Sequence, residues 1–162
     1  MTYRILLAAT AVLGVSSAAS AEILQEKNMP LEIAVEIAQN AVQACAADKY
    51  NVAVAVVDRA GVLRALMRAD NAGVHTSDAA QRKAYTSASS RTPTSKMAEN
   101  IQKNAAAAEL ASIDGFLVLG GGVPVKVGDE TIGAVGVGGA PGGHLDEACA
   151  VAAIEKVKDK LK

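Results

Sequence analysis

Apolar residues recur along this chain with two periods, one typical of helices and one of strands. Leu31–Ala47 has apolar residues at helical spacing, with charged and amide side chains between them. Val52–Val57 is nearly all valine and alanine, which is typical of a strand covered on both faces. The rest of the pattern predicts a strand over Val62–Ala69, helices over Thr76–Ser90 and Thr92–Ala108, strands over Phe116–Leu119, Val123–Val127 and Thr131–Gly138, and a helix over Leu145–Leu161.

The predicted order, α-β-β-α-α-β-β-β-α, favours an α/β (α+β) fold around an antiparallel sheet. Asp58–Gly61 is a tight-turn sequence, and short hairpins require antiparallel pairing. The first and last helices are expected to cover one face of the sheet, and the central pair the other face or an edge. Three successive strands with no helix between them argue against a doubly wound parallel sheet.

The first 21 residues have the pattern of a signal peptide. Arg4 precedes the apolar run Ile5–Val15, and Ala19–Ala21 is a small-residue cleavage site. The sequence therefore predicts cleavage before Glu22, a periplasmic or secreted location, and a single mature domain over residues 22–162. No other apolar run approaches the roughly 20 residues that a membrane span needs.

Charge and aromatic content argue against nucleic-acid binding. The chain has 16 basic and 17 acidic side chains, and its net charge of −1 offers no basic excess. It has no tryptophan and only one phenylalanine, Phe116, so stacking platforms for bases are not expected.

Two cysteines, Cys45 and Cys149, would enter an oxidising compartment after export. Each lies on the apolar side of a predicted helix, where free cysteine commonly serves as a small buried residue. Because spacing along the chain does not establish that two Cα atoms are close, we expect the cysteines to be buried and unbridged.

The most distinctive segment is Ile132–Ala150. It begins as a strand of small and β-branched residues, continues through a glycine-rich loop with Pro141, and becomes helical after His144. Asp146 and Glu147 lie in the first turn of that helix, where acidic side chains suit the helix dipole.

This segment resembles the C-terminal signature of the GlcG/HbpS family of haem-binding and reputedly haem-degrading domains, which also occur in PduO C-terminal regions. The resemblance extends over nearly all of Leu31–Ile154. The other matching segments are Val54–Gly61 ("VVD..G"), Arg68–Ala72 ("RxDxA"), Lys83–Ala88 with Pro93-Thr94 ("KAxTA…PT"), and Gly121–Pro124 ("GGxP"). Gly138 and Asn71 depart from residues common in the family. The resemblance implies a profilin-like fold, in which the five strands predicted above would form the antiparallel sheet, together with haem as cofactor and a homo-oligomer.

The candidate iron ligand is His75, which follows the RxDxA segment on a loop before a helix, since histidine is a common axial ligand of haem. Asp70 or Asp78 is expected to hold its second ring nitrogen. The alternative is an exposed loop histidine that helps to cap the next helix. His144 is either loop filler or a polar group over a helix N-terminus that attracts a carboxylate or propionate.

Three basic residues flank the same region: Arg64, Arg68 and Lys83. Alternation places Arg64 and Arg68 on one face of their strand. They are candidates for pairing with haem propionates or a small carboxylate, and the alternative is a solvated surface.

Three functions remain open at the level of sequence. The first is an exported haem-binding protein. The second is a haem-dependent enzyme that degrades haem or turns over a small molecule, and the third is a non-haem accessory protein that binds a small acid. The sequence lacks the G-x-S-x-G, H-E-x-x-H and CxxC motifs, so it shows no well-defined catalytic constellation.

Overall fold

The structure is a computed structural model that describes residues 21–162. The predicted signal peptide therefore lies outside the described residues, apart from Ala21. Four helices and four strands follow one another, with short 3-10 helices at Ala105–Ser112 and Lys158–Lys160. Their bounds are α1 Leu31–Ala47, β1 Ala53–Asp58, β2 Leu63–Arg68, α2 Thr76–Ser90, α3 Thr94–Lys103, β3 Gly122–Val127, β4 Glu130–Gly138 and α4 Gly143–Lys156.

The four strands form one antiparallel sheet in the order β2-β1-β4-β3. Valines on one face of β1 and β4 pack against α1 and α4, and the opposite face packs against α2. The expectation that the two end helices share one face is thus confirmed. No helix within residues 21–162 is long and apolar enough to cross a membrane.

The sheet has four strands among the described residues, so the expectation of five is wrong. Phe116–Leu119, predicted as a strand, has no strand partner because its backbone groups bond to side chains of the neighbouring helices. Phe116 O accepts from the Arg82 guanidinium at 2.6 Å, and Leu117 N donates to Thr86 Oγ1 at 2.8 Å. Leu119 O accepts from Thr94 Oγ1 at 2.7 Å. The apolar segment is therefore held in an irregular conformation.

Two predicted helices end earlier than the pattern indicates. The helix predicted to Ala108 stops at Lys103, because Asn104 adopts an extended conformation and its side chain accepts from Ala106 N to start a 3-10 segment. The helix predicted to Leu161 ends at Lys156, with a short 3-10 turn after it. The bounds of α1 agree with the prediction.

Cys45 and Cys149 form a disulfide, so the expectation that they stay unbridged is wrong. Helices α1 and α4 lie side by side on the same face of the sheet. Their packing brings the Cα atoms of the two cysteines to 5.5 Å, within the usual range for a disulfide, although they are 104 residues apart.

Helix α2 packs closely on the sheet because small residues face each other across the contact. Alanines of α2 meet alanines of β1 and β4, and the backbone of Gly136 lies directly under the helix. A Cβ atom at Gly136 would collide with Ala80 O and would lie 2.5 Å from Ala84 N. Only a glycine at this position permits the approach.

Gly136→Ala is therefore expected to lower the free energy of unfolding by about 1–3 kcal/mol, since α2 must move away from β4. Urea unfolding followed by circular dichroism measures the change. Gly138→Ala is the matched control, because it lies two residues along the same strand and its Cβ would make only ordinary contacts at 3.4–3.5 Å. Equal midpoints for the two variants would contradict the prediction.

Candidate functional site

A cavity of about 490 Å³ opens where the glycine-rich loop meets the start of α2. Its walls come from the loop between β4 and α4, from Leu119, and from the first residues of α2 and α4. Both helices therefore present their N-termini to the same cavity. Free backbone N–H groups at such ends favour a negatively charged or hydrogen-bond-accepting group.

Close backbone contacts shape the wall of this cavity. Gly139 has a φ of +132°, and a Cβ there would lie 2.6 Å from Asn51 O. A Cβ on Gly143 would lie 2.8 Å from Gly120 O. The loop therefore packs against two other backbone segments, which explains why its sequence is rich in glycine.

A buried ion pair forms the inner end of the cavity. Lys83 Nζ donates to Asp146 Oδ2 at 2.7 Å and to Val137 O at 2.9 Å, and Ala140 N donates to Asp146 Oδ1 at 2.9 Å. The side chains of Lys83 and Asp146 are only 2% and 4% exposed. The pair ties α2 to the end of β4 and to the first turn of α4.

Gly121 of the GGxP segment leaves room for this pair. Its φ is +118°, and a Cβ there would lie 2.8 Å from Asp146 Cβ and 3.0 Å from Lys83 Nζ. Three of the segments singled out in the sequence, KAxTA, GGxP and the glycine loop, thus meet at one place.

His75 lies at the mouth of the cavity with an exposed side chain. It precedes Thr76, the first residue of α2, and its side chain makes no capping hydrogen bond. Thr76 Oγ1 donates to Gly73 O at 2.7 Å, which closes the loop beneath the imidazole. Across residues 21–162 the imidazole has no hydrogen-bond partner, and neither Asp70 nor Asp78 holds its second nitrogen. The ring is free to bind a ligand.

The other candidates lie away from His75. Arg64 and Arg68 are exposed on β2 and do not line the cavity, although the Arg68 guanidinium donates to Ala72 O in the loop before His75. His144 is exposed on the other side of the α4 N-terminus, in a separate depression that Glu147 also lines. Of the five candidates, the structure brings only His75 and Lys83 to one cavity, and Lys83 is bonded to Asp146.

Asp146 is the site residue that the sequence analysis missed, since it was assigned only to the helix dipole. One signal was present in the sequence. Lys83 lies on the stripe formed by Ala80, Ala84 and Ser87, which is the buried face of α2. A lysine on a buried stripe requires a buried acceptor.

The described part of the chain contains no group of three or more histidine, cysteine or acidic side chains placed to hold a metal ion. A haem iron differs from such a site because its porphyrin supplies four of the ligands, and the protein adds only axial ones.

Residues 29–155 match the family described as "Haem degrading protein HbpS-like". The chain belongs to this family. A crystal structure of a double mutant of Streptomyces reticuli HbpS is 38% identical, covers 91% of the chain and 99% of its own, and superposes with a TM-score of 0.80. The Klebsiella pneumoniae protein ORFY is 26% identical over 85% of the chain and 96% of its own, with a TM-score of 0.79. These comparisons confirm the α+β fold of the HbpS-like chain.

Two further relatives are either more distant in sequence or similar over only part of the chain. The structure of PduOC in complex with haem has a TM-score of 0.72 over 79% of this chain and 94% of its own, and at 22% identity it shows the fold alone. An uncharacterized 15.0 kDa protein from the dhaT-dhaS intergenic region of Citrobacter freundii is 35% identical over 86 residues, which is 52% of this chain. That match spans 61% of the relative's length.

Proposed function

We propose that this HbpS-like chain is an exported haem-binding protein in which the His75 imidazole would hold the iron. The observation that carries the proposal is the free, exposed imidazole at the mouth of the cavity, in a chain whose family is described as haem degrading. Histidine is a common protein ligand of haem iron.

The surroundings of His75 fit a flat, mainly apolar group with acidic substituents. Val74 and Leu119 are large apolar side chains that remain exposed beside the cavity. Pro141 adds a further exposed apolar surface on the loop. Gly143, the first residue of α4, also lines the cavity, and the free N–H groups at a helix N-terminus suit a propionate. A bound haem would supply redox-active iron, and the residues named here would hold and orient it.

His75→Ala is expected to weaken hemin binding at least tenfold, about 1.4 kcal/mol, and to shift the Soret maximum, because the axial nitrogen is lost. A hemin titration followed by absorbance measures both. His144→Ala is the matched control, since it is also exposed near a helix N-terminus but lies outside the cavity. An unchanged spectrum in His75→Ala would assign the iron to another ligand.

The same titration separates the haem proposal from its main alternative, a non-haem protein that binds a small acid. Two helix N-termini that open on one cavity favour that alternative. No Soret band after hemin addition to the wild-type protein would support it. A band that forms and then disappears with reductant and oxygen would instead indicate haem degradation.

We also propose export with removal of the leader, so that the mature protein starts at Glu22. The disulfide between Cys45 and Cys149 supports this, because structural disulfides are typical of oxidising compartments outside the cytoplasm. Intact-mass measurement of native exported material is expected to show a chain without residues 1–21. A full-length mass in that fraction would refute the processing.

Self-association into a homo-oligomer is part of the proposal. Large apolar side chains are exposed before α1, on β2 and the residue preceding it, and on α4, and exposed apolar area of this kind is commonly covered by a second subunit. The residues concerned are Ile23, Leu24, Val62, Leu66 and Val151.

A further inference from the structure

Strand β2 leaves one edge of the sheet open. Among residues 21–162, β2 pairs with β1 on one side and with no strand on the other. Ala69 N donates to Val52 O at 2.9 Å in that pairing. Because bonding direction alternates along an antiparallel strand, Leu66 and Arg68 turn their N–H and C=O groups away from β1. Such an edge is a template for another strand.

The side chains along this edge form a row with a distinct charge pattern. Ala65 and Met67 pack toward the core, so Leu66 and Arg68 lie on the opposite face, and the exposed Arg64 is the unpaired residue of a β-bulge next to them. Leu66 is 44% exposed. Within residues 21–162, neither arginine has a carboxylate within ion-pair distance. The edge therefore presents an exposed leucine between two arginines that have no carboxylate partner among the described residues.

The N-terminal arm, Glu22–Glu26, has the complementary pattern. Glu22, Leu24 and Glu26 are spaced two residues apart, as are the three side chains on β2, and the charges are opposite. The arm belongs to no helix or strand, and Ile23 and Leu24 are 84% and 78% exposed. Within residues 21–162 the two apolar side chains of this irregular segment are therefore left uncovered.

We propose that the arm of one chain adds to the β2 edge of a second copy as an antiparallel fifth strand. The register that matches the charges places Glu26 opposite Arg64, Leu24 opposite Leu66, and Glu22 opposite Arg68. Backbone hydrogen bonds then supply affinity, and the alternating side chains supply specificity. This inference rests on the self-association proposed above and identifies the arm and the β2 edge as the surfaces through which the chains associate.

Among the described residues the arm does not pair with its own β2 edge, although its root is held near the β1–β2 turn. Lys27 N donates to Glu130 Oε1, and Glu130 begins β4, which lies across β1 from β2. Asn28 Oδ1 accepts from Arg59 N at 2.9 Å, and this bond holds Asn28, the residue after Lys27, in place. Glu26 is paired with Arg59 at 3.0 Å, but this pair is partly exposed and Arg59 keeps Glu130 as a second partner. Exchanging such a pair costs little.

Charge reversal with rescue tests the proposal on exported protein. The edge variant R64E/R68E and the arm variant E22R/E26R are each expected to raise the dissociation constant of the assembly at least tenfold, measured by sedimentation or light scattering. An equimolar mixture of the two is expected to regain the wild-type mass, since each arm then meets an edge of opposite charge. Wild-type mass in each separate variant, or no recovery in the mixture, would overturn the proposal.

Cysteine trapping provides a measurement that does not depend on charge. In an antiparallel pair, opposite Cα atoms lie within disulfide reach, so Leu24→Cys with Leu66→Cys is expected to give a covalent dimer on a non-reducing gel. Ile23→Cys with Leu66→Cys is the matched control, because residue 23 points to the other face. An intrachain bond, or equal dimer in both pairs, would overturn the register.

The two measurements separate failure of the arm interface from failure of self-association itself. A wild-type protein with the mass of one chain would refute both. A wild-type oligomer whose mass is unchanged by charge reversal would refute the arm interface alone.

Discussion

Replacing Lys83 with methionine is expected to lower the free energy of unfolding by about 3–5 kcal/mol, because it leaves the Asp146 carboxylate buried without its cation. Methionine keeps most of the length of the lysine side chain, so the loss of the ion pair dominates. Lys83 joins α2, β4 and α4 at one point, and each of these elements also carries part of the candidate site. Urea unfolding of the oxidised protein measures the change.

Two companion variants test whether the effect depends on the burial of the ion pair. One breaks an exposed pair, and the other removes both charges of the buried pair. Lys158 and Glu155 are also 2.7 Å apart, but their side chains are 68% and 67% exposed, so Lys158→Met should leave the urea midpoint nearly unchanged. K83M/D146N removes the charge from both positions, while the amide oxygen that replaces the Asp146 carboxylate still accepts from Ala140 N. The double variant should therefore be more stable than Lys83→Met alone. A midpoint for Lys83→Met equal to that of Lys158→Met would contradict the prediction.

Removing the disulfide with C45A/C149A is expected to cost about 2–5 kcal/mol, because the bridge closes a long loop and restricts the unfolded chain. Both positions are buried between α1 and α4, and alanine fits there without a new polar group. Thermal or urea unfolding with and without reductant measures the effect. Reductant should destabilise the wild-type protein by a similar amount and leave the double variant unaffected.

Thiol counting provides the direct check on this bridge. In denaturant without reductant, the exported protein should show no free thiol, and after reduction it should show two per chain. Two free thiols before reduction would restore the original expectation that the cysteines are unbridged, and would also remove the support that the disulfide gives to export.

Most regular elements were predictable because local patterns report local structure. The bounds of α1 agree with its apolar stripe, and the valine-rich run at β1 was recognisable as a strand buried on both faces. The glycine loop before α4 and the turn at Asp58–Gly61 follow from the conformations that glycine permits. Five strands were predicted, however, because the apolar segment Phe116–Leu119 has the composition of a strand.

The candidate site was predictable only in part. The position of His75 on a loop before a helix follows from the sequence, and the structure places it at a cavity mouth. Lys83 was a candidate either for pairing with a ligand carboxylate or for a solvated surface, but its ammonium group bonds to Asp146, 63 residues away. No periodic pattern links the two residues, because their contact depends on how α2 and α4 are placed on the sheet.

The sequence by itself determined where most helices and strands form, the family, and the glycine-lined loop, since these depend on residues close together in the chain. Only the tertiary structure decided the pairing of Cys45 with Cys149, the burial of Lys83 against Asp146, and the irregular path of Phe116–Leu119. Each of these depends on which backbone and side-chain groups packing brings within bonding distance. That outcome is set by the arrangement of whole elements, and no local pattern encodes it.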